Sequence, residues 1–300
     1  MALSKEMRRL PKPEIDEELR GWSYSEGVLA SQTKVLLGVS DITSNFCPNG
    51  RDVYLRYVKK IPPKDNQILQ KGRLIHEIWT KSLELIKKTL YAIGEDLDGE
   101  TLYKEIMNKE EIMEDEAVNK YNLLDKDYIK WLVHKILDSA ARTYSSALDR
   151  HKARSPYITL DGLVYLTIPL ITEFPINGER LGLSKTLRID ALAPPSVIIE
   201  VKSRPPSEVF EASLAGYALA FESEYEVPVD YGVLLYVNVV DSERKIFSRA
   251  KLVPISAQLR TSFVELRDRR TEIIIYEEDP GIAGTCPTEC PYLKYCRSGE

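Results

Sequence analysis

Apolar residues recur along the first half of this chain with a helical period. Between Asn66 and Ile93 (NQILQKGRLIHEIWTKSLELIKKTLYAI), Leu69, Gly72, His76, Trp79, Leu83, Ile86 and Leu90 return at three- and four-residue steps. That spacing traces one face of an amphipathic helix and predicts that His76 points inward, on the packed side. Two further segments, near 100–120 and 125–150, place acids and lysines outside and Leu, Ile and Trp inside. The pattern from Ser40 to about Arg150 is therefore largely helical. Residues 1–38 are polar with scattered aromatics, and Pro11 and Pro13 interrupt any long helix there.

After Pro156 the texture changes. Segments 164–171 (VYLTIPLI), 185–193 (KTLRIDALA), 196–203 (SVIIEVKS) and 230–240 (DYGVLLYVNVV) are rich in β-branched and aromatic residues and bounded by Pro, Gly and Asp. They read as strands. Residues 245–253 add another through a DSER turn, and helices are expected over 207–224 and about 255–272. The fold class is α/β, a mixed sheet flanked by helices on a β–turn–β–α–β core. Four parts are expected: an N-terminal arm (1–38), a helical part (39–155), the α/β core (156–278) and a C-terminal cysteine segment (279–300).

Composition narrows the setting. The 300 residues are 43% hydrophobic and 29% charged, as in soluble globular proteins. MALSKEMRRL lacks the apolar core of a secretory signal, and YGVLLYVNVV is too short to span a bilayer. A cytoplasmic protein without membrane contact is expected, where clustered cysteines bind metal more often than they pair. The net charge of −5 argues against a broad basic face for nucleic acid but leaves a local one open. The stretch RDVYLRYVKKIPPK interleaves Arg51, Arg56, Lys59, Lys60 and Lys64 with Tyr54 and Tyr57. That mixture suits single strands, where cations track phosphates and rings stack on bases; it also reads as a solvated helix face.

The candidate chemistry lies in RIDALAPPSVIIEVKS. Residues two apart on a strand share a face, so Glu200 and Lys202 do. If the Pro194-Pro195-Ser196 loop is three residues long, Asp190 sits directly across from Glu200; a two-residue loop turns it to the other face. An acid and a lysine on a buried strand cost energy unless they pair or hold a metal. Two converging carboxylates make a hard oxygen site for Mg2+ or Mn2+. Lys202 is placed to orient water or stabilise developing charge, and an inward His76 to complete the coordination. The ordinary alternatives are a surface Glu-x-Lys ion pair and a hydrogen-bonded core histidine.

Taken together, these residues resemble the PD-(D/E)XK nuclease superfamily and its RecB-like branch. There a Gly-x-x-x-His motif, here Gly72 to His76, precedes the Asp and the Glu-x-Lys. The branch usually carries Gln-x-x-x-Tyr on the next helix; this chain has Ser213-Leu-Ala-Gly-Tyr217, keeping the Tyr as a substrate contact and lacking the Gln. Members with an iron–sulfur cluster take one cysteine from upstream of the core and three from its C-terminal end. Cys47 is the upstream candidate, 239 positions before Cys286, and Cys286, Cys290 and Cys296 are the others. With ELRGW and the CPNGRDVYLRYV stretch, the chain is similar to the CRISPR-associated Cas-four exonucleases, archaeal Csa-one subgroup.

The resemblance implies a metal-dependent exonuclease on single-stranded DNA ends that processes fragments for spacer acquisition. Its implied partners are the adaptation integrase and related Cas proteins, and its implied cofactors a 4Fe–4S cluster and Mn2+ or Mg2+. Three residues separate Cys286 from Cys290, where two are commoner, and four thiolates also suit zinc. The cluster is expected to tie down a tail that has no core of its own. The rival reading is a non-catalytic DNA-binding or scaffolding subunit that keeps the nuclease fold.

Overall fold

The computed structural model describes residues 3–31, 33–44, 46–94 and 96–298. Three short helices, α1 (Leu3–Met7), α2 (Val39–Ile42) and α3 (Arg51–Val53), precede the longer elements, and α3 continues into a π-helical turn, Tyr54–Val58. Then come α4 (Gln67–Ile93), α5 (Gly99–Met107), α6 (Glu110–Lys120), α7 (Lys126–Arg154) and α8 (Leu160–Thr167). The sheet follows as β1 (Ile171–Ile176), β2 (Leu187–Ala193), β3 (Val197–Lys202), α9 (Glu208–Tyr225), β4 (Tyr231–Val240) and β5 (Lys245–Pro254), before α10 (Ala257–Ile275) and α11 (Leu293–Ser298). Among the described residues no helix is long and apolar enough to cross a membrane.

These elements pack as two compact units. One holds the residues up to Asn66, Glu173–Asn238 and those from Phe247 on; the other holds Gln67–Thr172 and Val239–Ile246. The units are thus discontinuous in sequence. Cys47 belongs with the sheet, and the Gly72–His76 turn with the helices.

In the helical unit α7 packs against α4, α5, α6 and α8. Asp98 and Asp125 cap α5 and α7, accepting from Thr101 N at 2.7 Å and Tyr128 N at 2.9 Å. Such caps satisfy amides that the first turn leaves open. The buried stripe of α4 runs through Leu74, Ile75, Ile78, Leu83, Ile86 and Leu90. Gly72, His76 and Trp79 flank it half-buried, so the expected inward histidine stands at the edge of the packed face. Of the strand expected over 164–171, residues 164–167 are helical and only Ile171 is strand. Thr159 caps that helix through Gly162 N, and Leu163, Val164 and Thr167 bury one side; the strand begins at Ile171.

The other unit is built on a five-stranded sheet ordered β1-β2-β3-β4-β5. Strands β2 and β3 are antiparallel with Ala193 opposite Val197, so Pro194-Pro195-Ser196 is the three-residue loop. β3 and β4 are parallel, Glu200 beside Leu234, with α9 as the crossover that parallel neighbours require. Helix α9 packs on β3 and against α10. Gly216 permits the α9–α10 approach, because a Cβ there would lie 2.4 Å from the Phe263 ring.

An ionic knot sits inside this unit. Arg260, 0% exposed, grips Glu222 with both guanidinium nitrogens, at 2.6 and 2.9 Å. Arg20 Nη1, Gly21 N and Val229 N donate to the same carboxylate at 2.8–2.9 Å. Arg260 also donates to the Leu19 and Val229 carbonyls. The Leu19-Arg20-Gly21 stretch of ELRGW is therefore a structural anchor that ties the N-terminal arm to α9 and α10.

Candidate active site and cysteine segment

Continuing the Ala191–Ile199 register by one pair sets Asp190 opposite Glu200. Directly opposed residues of an antiparallel pair share a face. Asp190 Oδ2 accepts from Val201 N at 2.7 Å, which holds that carboxylate against β3. Glu200, 4% exposed, takes Lys202 Nζ at 2.7 Å on Oε2. The three side chains predicted from the strand pattern are thus assembled on one face by β2 and β3. Ile198, Ile199 and Val201 bury the strand around them.

Tyr217 reports the electrostatics of this face. Burial pushes its phenol well above the ordinary value, and the charges of Glu200, Asp190, Glu173 and Asp41 add to the shift. The hydroxyl therefore stays protonated, and the carboxylates that act on it are the ligand type that hard cations take. Ser213, at the position of the usual Gln, is 2% exposed and donates to Phe210 O at 2.7 Å. It is spent inside its own helix. Glu173 and Asp41, both within reach of Tyr217, were not anticipated; neither lies in a pattern that alternation or helical spacing marks.

Lys202 rests on a second support. Its Nζ lies over the Phe210 ring at 5.3 Å to the centroid, and the Arg204 guanidinium lies over Phe210 at 5.1 Å and over Phe46 at 4.2 Å. Phe46 adjoins Cys47, so Arg204 bridges the end of β3 and the Cys47 segment. Arg204 was also missed, because its partners lie far away in sequence.

The two cysteine-bearing segments meet through protein contacts. Asn49 Nδ2 donates to the Pro280 and Gly281 carbonyls at 3.2 and 2.7 Å. Arg51 forks onto Asp279, with Nε–Oδ1 and Nη2–Oδ2 at 2.9 Å, and reaches Cys296 Sγ at 3.3 Å. Lys64 N donates to Pro291 O, and Tyr292 OH to Ile61 O, each at 3.2 Å. Tyr54, Leu55, Cys290 and Tyr292 form a small apolar cluster, so the tail does have a core, shared with the 46–61 segment. Gly50 is required there: its φ is +84°, and a Cβ would collide with Arg270 Nη1.

All four cysteines are free thiols. Burial pushes the Cys290 thiol up, and the neighbouring Cys47, Asp52 and Cys296 push it further. Arg51 and Arg56, singled out in one basic stretch, have separate duties: Arg51 holds the tail, and Arg56 pairs with Asp41. Among the described residues, no three His, Cys, Asp or Glu side chains are grouped closely enough to hold a metal ion by themselves. The donor chemistry still fits in two places. A carboxylate pair suits Mg2+ or Mn2+, which keep several waters and use substrate phosphates as ligands. Four thiols on two joined segments suit an iron–sulfur or zinc centre.

Known proteins share this sequence along nearly its whole length. A family model described as CRISPR-associated exonuclease Csa1 matches residues 1–299. A CRISPR-associated exonuclease Csa1 of Saccharolobus solfataricus is 39% identical over 299 residues, 99% of this chain and 97% of the relative. One of Thermoproteus tenax is 30% identical over 287 residues, 95% of this chain and 92% of the relative.

Proposed function

Because the chain belongs to the Csa1 family of CRISPR-associated exonucleases, we propose that it is a metal-dependent DNA exonuclease of the RecB-like PD-(D/E)XK type, akin to the Cas-four nucleases. It acts on single-stranded ends and trims fragments before their integration as spacers, alongside the adaptation integrase and related Cas proteins. The observation that supports this best is the β2–β3 hairpin, where Asp190 Oδ2 accepts from Val201 N at 2.7 Å between Glu200 and Lys202, which pair with each other at 2.7 Å.

In this reading Asp190 and Glu200 hold Mn2+ or Mg2+, with waters and a substrate phosphate filling the rest of its shell. The ion, when bound, supplies Lewis-acid stabilisation of the charge that builds on the phosphodiester. Lys202, now paired with Glu200, places its ammonium beside the scissile phosphate and orients the attacking water. Tyr217, kept neutral by burial and then by its carboxylate neighbours, donates a hydrogen bond to the strand. Cys47, Cys286, Cys290 and Cys296 hold a 4Fe–4S cluster that reinforces the junction of tail and 46–61 segment.

The test uses anaerobically purified protein, end-labelled single-stranded DNA and Mn2+. Metal-dependent shortening from an end is expected, with strong loss in Glu200→Ala and Lys202→Ala. Equal degradation by wild type and both variants overturns the assignment. A second reading, a DNA-binding subunit without turnover, draws on Ser213, which is committed to Phe210 O and leaves the Gln contact unmade. It predicts end binding with no metal-dependent shortening in the same assay.

A further inference from the structure

A cavity of about 310 Å3 opens beside the carboxylate pair, lined by Arg56, Tyr57, Ser184, Thr186, Arg188 and Tyr217 among others. Its size falls at the lower end of small-molecule sites, roughly 300–1,000 Å3. Its lining is cationic, aromatic and hydroxylic rather than apolar. Arg188 joins the cavity to the candidate metal site, because it precedes Asp190 by two residues on β2 and so shares its face.

The charges in the cavity are not equivalent. Arg56 is balanced by Asp41, at 2.5 Å, and Asp41 also accepts from Tyr57 OH at 2.6 Å. That triangle fixes the Tyr57 ring, with the Arg56 guanidinium 5.4 Å from its centroid. Arg188 is exposed, and its hydrogen bond is to a backbone oxygen, Glu173 O at 3.4 Å. No carboxylate pairs with it among the described residues. Beside it stand the Ser184 and Thr186 hydroxyls, 3.3 Å apart. One end of the cavity therefore offers an uncompensated guanidinium with hydroxyl donors, the chemistry that takes a phosphate. The other end offers an immobilised ring, the chemistry that takes a base.

We propose that this cavity is a nucleotide subsite that holds one nucleotide of a single strand beside the cleavage point, its phosphate on Arg188 and its base against Tyr57. The subsite rests on the nuclease reading for its role and on its own geometry for its existence. Arg188 is a binding residue, so its loss acts on affinity before turnover.

The experiment measures binding of a labelled oligothymidylate to the holo protein by fluorescence anisotropy, with no divalent ion added. Arg188→Ala is expected to weaken binding about tenfold and to reduce the salt slope by about one. Arg188→Lys is expected to recover the slope and part of the affinity. Thymidine 5′-monophosphate should displace the strand where thymidine does not. Wild-type affinity and slope in Arg188→Ala overturn the subsite, as does equal competition by thymidine or failure of the wild type to bind. An Arg188 effect on binding in a protein that never cleaves DNA overturns the nuclease reading alone. Because Arg188 is exposed, an unchanged melting temperature in both variants separates lost contact from lost fold.

Discussion

Removing Glu222 tests the internal architecture most severely. Its carboxylate takes two bonds from Arg260 and one each from Arg20, Gly21 N and Val229 N. Both Glu222 and the Arg260 side chain are 0% exposed. Glu222→Ala leaves a guanidinium buried without its counter-charge, and breaking one side of such a pair costs about 3–5 kcal/mol. Unfolding of a chain this size shifts by roughly 2–4 °C per kcal/mol, so the midpoint should fall by about 6–20 °C. Glu222→Gln should lose most of the same amount, because shape is kept and charge is not. Limited proteolysis should release the arm before Leu19 sooner in Glu222→Ala, since Leu19, Arg20 and Gly21 all end on this knot. A loss below about 1 kcal/mol in thermal and urea unfolding would refute the idea that the knot holds the arm and the two helices together.

Other consequences concern charge, the proposed cluster and the setting of Lys202. Burial raises Glu77, but bonds from Lys120, Lys81 and Tyr121 outweigh it and hold the carboxyl down at about 2. A depressed acid stabilises above its unfolded value, so this contribution, at most about 3 kcal/mol, is complete above about pH 5 and lost as pH falls toward 2. The urea-midpoint gap between wild type and Glu77→Gln should shrink across that window, and a constant gap refutes it. Cys47→Ser should lose iron and acid-labile sulfide as Cys290→Ser does, yet stay folded because Asn49, Arg51 and Tyr292 still grip the tail; full iron retention would show that Cys47 is not a ligand. Arg204→Ala removes a desolvated cation–π bridge worth about 2 kcal/mol, and kcat should drop about tenfold with KM nearly unchanged. An unaltered kcat means that Arg204 does not position Lys202.

The parts of the site that lie within one hairpin were legible in the sequence. Alternation put Glu200 and Lys202 on one face, and the Pro194-Pro195-Ser196 loop, at its true length, fixed Asp190 opposite. Long-range partnerships were not legible. Asp41, Arg56 and Tyr57 meet across a turn that no periodicity marks, and Glu222 meets Arg20 across 202 positions. Arg188 sat two residues before Asp190, yet an exposed arginine on a strand has no signature until a cavity forms around it. Residues 164–171 read as a strand on their β-branched and aromatic composition, whereas Leu163, Val164 and Thr167 are spaced for one face of a helix that the Thr159 cap begins. His76 was placed on the packed face because the periodic residues around it include Leu and Trp. The buried stripe instead centres on Leu74, Ile75 and Ile78, one step around the helix. The family resemblance, not periodicity, linked Cys47 to the tail, and in the structure Asn49 and Arg51 join that segment to Pro280, Gly281 and Asp279.

The central claim is that Asp190 and Glu200 together hold a divalent ion, and metal binding tests it without any substrate. Titrating Mn2+ into the protein, with free ion followed by electron paramagnetic resonance, should show one tight site per chain beyond background. Asp190→Asn and Glu200→Gln should each weaken that site at least about tenfold, the loss of one charged ligand being worth more than about 1.4 kcal/mol. Wild-type Mn2+ affinity in both variants would contradict the account.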